Sequence, residues 1–133
     1  MRLHHVGIAV RDLEAAARFY RETLGLQPGA PEHLEHDAVA VLFVPAGTVL
    51  LELLQPLDGR GPVARFIARR GEGLHHLAFA VPDVAAALAR ARAAGLALVD
   101  GAPRPGAHGM RVAFLHPRDL HGVLVELVED RGQ

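Results

Sequence analysis

The chain has no cysteine and no tryptophan, and serine, asparagine and lysine are missing as well. Without cysteine there is no disulfide, no thiol nucleophile and no Cys-ligated zinc or iron–sulfur site. Without lysine there is no Schiff base, no pyridoxal phosphate anchor and no Walker phosphate loop. Losing both serine and cysteine removes the common hydrolase nucleophiles. Tyr20, Thr23 and Thr48 are the only hydroxyl-bearing side chains left. No apolar run is long enough to span a membrane. The formal net charge is -1 and there is no basic tract, so neither nucleic acid nor membrane is an expected partner. Met1 to His5 run straight into a strand pattern without the shape of a signal peptide, which makes the cytoplasm the expected location. All 14 basic residues other than histidine are arginine. With asparagine and cysteine absent, that is a weak hint of a hot or GC-rich source. Any catalysis must rest on His, Asp, Glu, Arg and a bound ion.

What is present is a repeat, and it carries polar residues with it. His5-Val-Gly-Ile-Ala-Val10-Arg-Asp12 reads again, 71 positions on, as His76-Leu-Ala-Phe-Ala-Val81-Pro-Asp83. A second echo follows at 74 positions: Leu51-Glu52-Leu53 and Val125-Glu126-Leu127. An internal repeat fixes architecture before anything else does. The length of 133 residues suits one domain with a proper core. We expect a first module over about 1–57, a linker helix over about 58–72 and a second module over about 73–130.

Residues 3–10 alternate as a strand. Asp12 is a good helix N-cap, and Leu13, Ala16, Ala17, Tyr20 and Leu24 follow at helical spacing up to Gly25. Strands are expected over 38–45 and 48–54, joined at Ala46-Gly47, with a short extra strand near 32–36. Pro62 opens the linker helix and Gly71 closes it. The second half repeats the scheme: strand 75–81, Asp83 as N-cap, a helix ended by Gly95, then strands at 96–99, 111–115 and 123–128. Residues 101–109 form a long loop, and long loops in small domains are often functional.

Strand side chains alternate faces. His5, Gly7 and Ala9 share one face; Val6, Ile8 and Val10 share the other. His76, Ala78 and Ala80 repeat the arrangement against Leu77, Phe79 and Val81. Each strand thus has a bulky face suited to its helix and a small face carrying one imidazole. This alternation selects His5 and His76 for a cavity and sends His4 and His75 to the helix side or a strand end. Glu52 and Glu126 lie inside apolar strands, where an uncompensated carboxylate is costly. One strand histidine or glutamate alone is usually structural or solvated; both recurring in register point to a metal site. Two imidazoles and two carboxylates suit Co²⁺, Mn²⁺, Ni²⁺, Fe²⁺ or Zn²⁺ and leave room for two further oxygen ligands. His33, His36, His116 and His121 read as surface or structural.

Together these features resemble the vicinal oxygen chelate (glyoxalase/bleomycin resistance/dioxygenase) superfamily over nearly the whole chain. Within it the chain is most similar to the methylmalonyl-CoA epimerases. The resemblance rests on Leu3-His-His-Val-Gly-Ile-Ala-Val10, Glu52-Leu-Leu-Gln-Pro-Leu57, Gly73-Leu-His-His-Leu77, Gly106-Ala-His-Gly109 and Phe114-Leu-His-Pro-Arg-Asp-Leu-His-Gly-Val-Leu-Val-Glu-Leu127. It implies an α+β fold of two paired βαβββ modules forming a metal-holding cleft. It implies His5, His76 and Glu126 as ligands, with Glu52 at a position where some members have Gln. The extra negative charge should tighten ion binding and slightly weaken Lewis acidity. Co²⁺ stands first among the metals implied, the partner is an acyl-CoA, and a homodimer is expected.

The reaction implied is inversion of the α-carbon of a 2-methylmalonyl thioester through an enolate stabilised by the ion. Glu126 is the expected acid/base on one face. The second group is open among Glu52, His108, a loop carboxylate such as Glu35, and water on the ion. The position where some epimerases carry a second glutamate is matched by Val41. Arg60, Arg65, Arg69 and Arg70 surround the linker helix and suit CoA phosphates, as they would also suit plain solvated charges. Arg65, Arg69, His108 and Gly109 are the expected substrate contacts, although His108 would serve equally as a turn residue. Three other readings compete. A glyoxalase would use the same ligands on a glutathione hemithioacetal. A metal-free sequestering protein would lack the ligand quartet. An Fe²⁺ dioxygenase would be crowded by Glu52.

Overall fold

Residues 1–130 are described by a computed structural model. They divide into two compact units, one of residues His5–His75, the other of Met1–His4 together with the chain from His76 onward. The linker therefore belongs to the first unit.

Along the first half of the chain, β1 (Arg2–Ala9) leads into α1 (Leu13–Glu22), β2 (Glu32–Leu34), a short 3-10 turn (Glu35–Asp37), β3 (Val39–Ala46), β4 (Val49–Pro56) and α2 (Pro62–Arg70). The strand order is β2-β3-β4-β1. β3 runs antiparallel to β2 and β4, and β1 lies parallel to β4 with Gly7 opposite Glu52. Along the second half, β5 (Gly73–Val81), α3 (Val84–Ala93), β6 (Arg104–Pro105), β7 (Arg111–Leu115) and β8 (Val125–Glu129) follow. Their order is β5-β8-β7-β6, with β5 parallel to β8 and β7 antiparallel to both neighbours. Each half carries a βαβββ module of the same topology.

Helix ends follow from local chemistry. Asp12 and Asp83 sit in extended backbone and accept from the Ala15 and Ala86 amides at 3.0 and 3.1 Å. The next orphan amides are satisfied from the strands. The Leu13 amide donates to Gln55 Oε1 at 2.6 Å and the Val84 amide to Glu129 Oε1 at 3.0 Å. Gln55 and Glu129 stand at the spacing that relates Glu52 to Glu126. The repeat thus ties each helix start to the last strand of its own module. Gly25, Gly71 and Gly95 all have positive φ after their helices, as expected.

The core of each module lies between helix and sheet. Ile8, Leu42, Val44 and Leu53 pack with Leu13 and Ala17 of α1, and Ala113, Leu115 and Leu127 pack with Val84, Leu88 and Ala91 of α3. At about 25 cal/mol per Å² of apolar area, burying each such leucine or valine contributes roughly 1.5–3 kcal/mol.

One expected strand does not form. Residues 96–99 make a single bridge, Leu98 to Leu115, and the fourth strand of the second module is β6, inside the expected long loop. Leu96 and Leu98 pack on the core instead of alternating across a ladder. The amides of Val99 and Asp100 both donate to the Phe114 carbonyl, and that of Ala97 to Asp119 Oδ2. This bends the segment off the sheet. β6 stays short because Pro105 has no amide to offer a ladder, which confines it to an edge.

Candidate metal centre

Each module builds one half of a donor set. In the first, alternation along β1 and β4 turns His5, Gly7 and Glu52 to the face away from α1. The His5 Nε2 lies 3.2 Å from Glu52 Oε1. In the second, His76 on β5 and Glu126 on β8 repeat the pair at 3.0 Å. All four residues are buried, none more than 7% exposed. Two buried carboxylates are expensive without compensating cationic charge. Each pair is a buried imidazole–carboxylate set of donors of the kind that can ligate a metal ion. Two nitrogen and two carboxylate donors fit a divalent first-row ion.

Two aromatic residues belong to these pairs and escaped the reading of the sequence. Phe43 lies opposite Glu52 in the β3–β4 register and Phe114 opposite Glu126 in β7–β8. Phe43 meets the His5 ring edge-on at 5.5 Å and 75°, and Phe114 meets the His76 ring at 5.4 Å and 85°. An aromatic ring against each imidazole restricts its rotation. The signal was available, because Phe43 and Phe114 are 71 positions apart, as His5 and His76 are.

The doubled histidines sort differently. His75 stacks edge-on against Phe66 of α2 at 5.0 Å, and His4 is buried. Arg65 and Arg69 are exposed on α2, and Arg70 lies 5.8 Å from the Phe66 ring centroid. Arg60 is bound to Asp58, its Nη2 2.8 Å from Oδ2. That hydrogen bond lowers the Asp58 pKa and raises that of Arg60. His108 and Gly109 are exposed, and both take left-handed backbone, φ 56 and 67. Glu35 is exposed in its 3-10 turn, and Val41 is buried on β3.

The glyoxalase/bleomycin resistance protein/dioxygenase superfamily model matches residues 4–114. The ethylmalonyl-CoA/methylmalonyl-CoA epimerase of Cereibacter sphaeroides is 46% identical over 128 residues, 95% of this chain and 96% of that protein. The chain belongs to the methylmalonyl-CoA epimerase family of this superfamily. The human mitochondrial methylmalonyl-CoA epimerase, another member, is 42% identical over 127 residues, 95% of this chain and 72% of that one. A variant of Streptomyces coelicolor methylmalonyl-CoA epimerase, solved with 2-nitronate-propionyl-CoA, superposes with a TM-score of 0.94 at 39% identity. That match covers 98% of this chain and 94% of that structure. The family shares the vicinal oxygen chelate fold anticipated from the resemblance.

Proposed function

We propose that this protein is a methylmalonyl-CoA epimerase, an isomerase that inverts the α-carbon of a 2-methylmalonyl thioester by removing and returning its α-proton. The observation that carries the reading is the buried His–Glu pair built once in each module of a chain so similar to a named epimerase. His5, Glu52, His76 and Glu126 are the residues that would hold one divalent ion, Co²⁺ first among the candidates. When bound, the ion supplies Lewis-acid stabilisation of the enolate charge.

Glu126 takes or returns the α-proton at a carboxylate oxygen on one face of the carbon. His76, held edge-on by Phe114, keeps the Glu126 carboxylate in place. His108 and Gly109 offer exposed left-handed backbone that approaches the acyl portion, and Arg65 and Arg69 bind CoA phosphates from one face of α2. A single domain, a homodimer and a cytoplasmic location complete the proposal. Among the described residues no helix is long and apolar enough to cross a membrane.

The test is metal analysis of the purified protein with α-proton exchange of methylmalonyl-CoA followed by NMR in deuterated water. The protein should carry one divalent ion per chain and exchange the proton. Glu126→Gln should slow exchange by about 10²–10⁴-fold, the usual worth of a positioned acid/base. A metal-free protein, or one that exchanges no acyl-CoA proton yet acts on lactoylglutathione, would defeat the proposal.

A further inference from the structure

The repeated halves are not alike around their histidines. Phe43, the ring beside His5, is buried, so packing encloses it. Phe114, the ring beside His76, is only half-buried. A half-enclosed side chain keeps rotamer freedom that close packing would remove. If Phe114 is to hold an imidazole, something besides the core must hold Phe114.

The edge strand of the second module supplies it. β6 puts Arg104 opposite Val112, which shares a face of β7 with Phe114. The Arg104 guanidinium carbon lies 5.5 Å from the centroid of the Phe114 ring, within reach of a cation–π attraction. The guanidinium is itself fixed. Its Nε donates to Asp100 Oδ1 at 3.0 Å, and the two side chains are only 21% and 17% exposed. Asp100 Oδ2 accepts from the Phe114 amide at 2.9 Å. One carboxylate therefore fastens both the backbone that carries the ring and the cation that lies over it. The ring meets His76 edge-on at 5.4 Å, and His76 Nε2 lies 3.0 Å from Glu126 Oε1. All five residues belong to the compact unit that holds the chain from His76 onward. In the first module the matching position of β2 is Glu32, opposite Val41. The negative face of an aromatic ring attracts a cation and repels a carboxylate, so Glu32 cannot play this part for Phe43.

We propose that Arg104 is a positioning residue: clamped by Asp100 on the Phe114 ring, it fixes the orientation of the His76 imidazole. The inference rests on the epimerase reading, which makes His76 a metal ligand, and deepens it. An imidazole already set in one orientation loses less freedom on ligation, so the brace raises metal affinity without touching the ion.

The experiment reads the imidazoles directly, by NMR of the histidine ring signals in the metal-stripped full chain. His76 and His5 signals are identified by their loss in His76→Gln and His5→Gln. Arg104→Met should shift and broaden the His76 signals and leave those of His5 in place. Calorimetric titration with Co²⁺ should then show affinity lowered about tenfold, the lower end of what groups supporting a ligand contribute. Arg104→Lys, which returns a cation to the ring, should restore much of both. In a Phe114→Leu background, Arg104→Met should add nothing further, because the ring is the route by which it acts. Asp100→Asn removes the anion from the guanidinium but keeps an acceptor for the Phe114 amide. It should act in the same direction as Arg104→Met, and it decides the matter if that variant does not fold. Unchanged His76 signals, equal disturbance of His5 and His76, or a full loss in the Phe114→Leu background would each overturn the inference. Wild type that takes up no Co²⁺ refutes the metal reading instead, while the ring signals still decide the role of Arg104.

Discussion

Gly61 shows how one residue can limit what a sequence tolerates. Its φ is +91, and a Cβ built there would stand 2.5 Å from the Asp37 carbonyl oxygen. The neighbour is backbone and cannot rotate away. Gly61→Ala should therefore cost about 2–4 kcal/mol, combining left-handed strain with the clash. A drop in the urea midpoint with an unchanged m-value would register it. Loss below about 0.5 kcal/mol would mean that the turn before α2 relaxes easily. Gly109, by contrast, has nothing within 4 Å of its notional Cβ, so an alanine there meets strain alone. The faces of His5 and His76 were legible at this scale because alternation assigns a face to each residue of a strand. The Phe–His contacts were not, because alternation says nothing about which residue of another strand lies alongside.

At the scale of elements, the start of α3 depends on two side chains far apart in sequence. Asp83 caps one amide from within the turn, and Glu129 reaches another from β8. Asp83→Ala should destabilise the protein by about 1 kcal/mol. Glu129→Ala should cost a similar amount, since a charge-assisted bond at a helix N-terminus is lost. Chemical denaturation of both single variants and the double variant checks this. Additive losses indicate independent caps, as their different amides suggest, and strong coupling would contradict that. The aspartate caps and the glycines after the helices could be read from the sequence, because they act over a few residues. Gln55 and Glu129 could not be assigned, because their partner amides lie 42 and 45 residues away. The exchange of a strand at 96–99 for one at Arg104–Pro105 has the same origin. Strand propensity is local, whereas membership of a sheet depends on a neighbour's free edge.

For the whole molecule, the ion proposed for His5, Glu52, His76 and Glu126 would couple its own binding to folding. An ion that binds the folded chain at 100 times its dissociation constant stabilises it by about 2.7 kcal/mol. Removing the ion with a chelator should lower the melting temperature by roughly 5–10 °C, and restoring it should bring the temperature back. His76→Ala should melt at one temperature with or without chelator. A chelator shift that survives in His76→Ala would place the stabilising ion elsewhere.

The sequence by itself determined the doubled βαβββ plan, the caps and the His–Glu sets of the two modules. Each of these is written in short-range alternation or in recurrence along the chain. Only the tertiary structure decided that β1 lies parallel beside β4, that β5 lies parallel beside β8, that Phe43 and Phe114 stand against the imidazoles, and that Arg104 rests on Phe114. Those facts depend on register between strands distant in sequence. Register is settled by closing the sheet and filling the core, which no local pattern encodes.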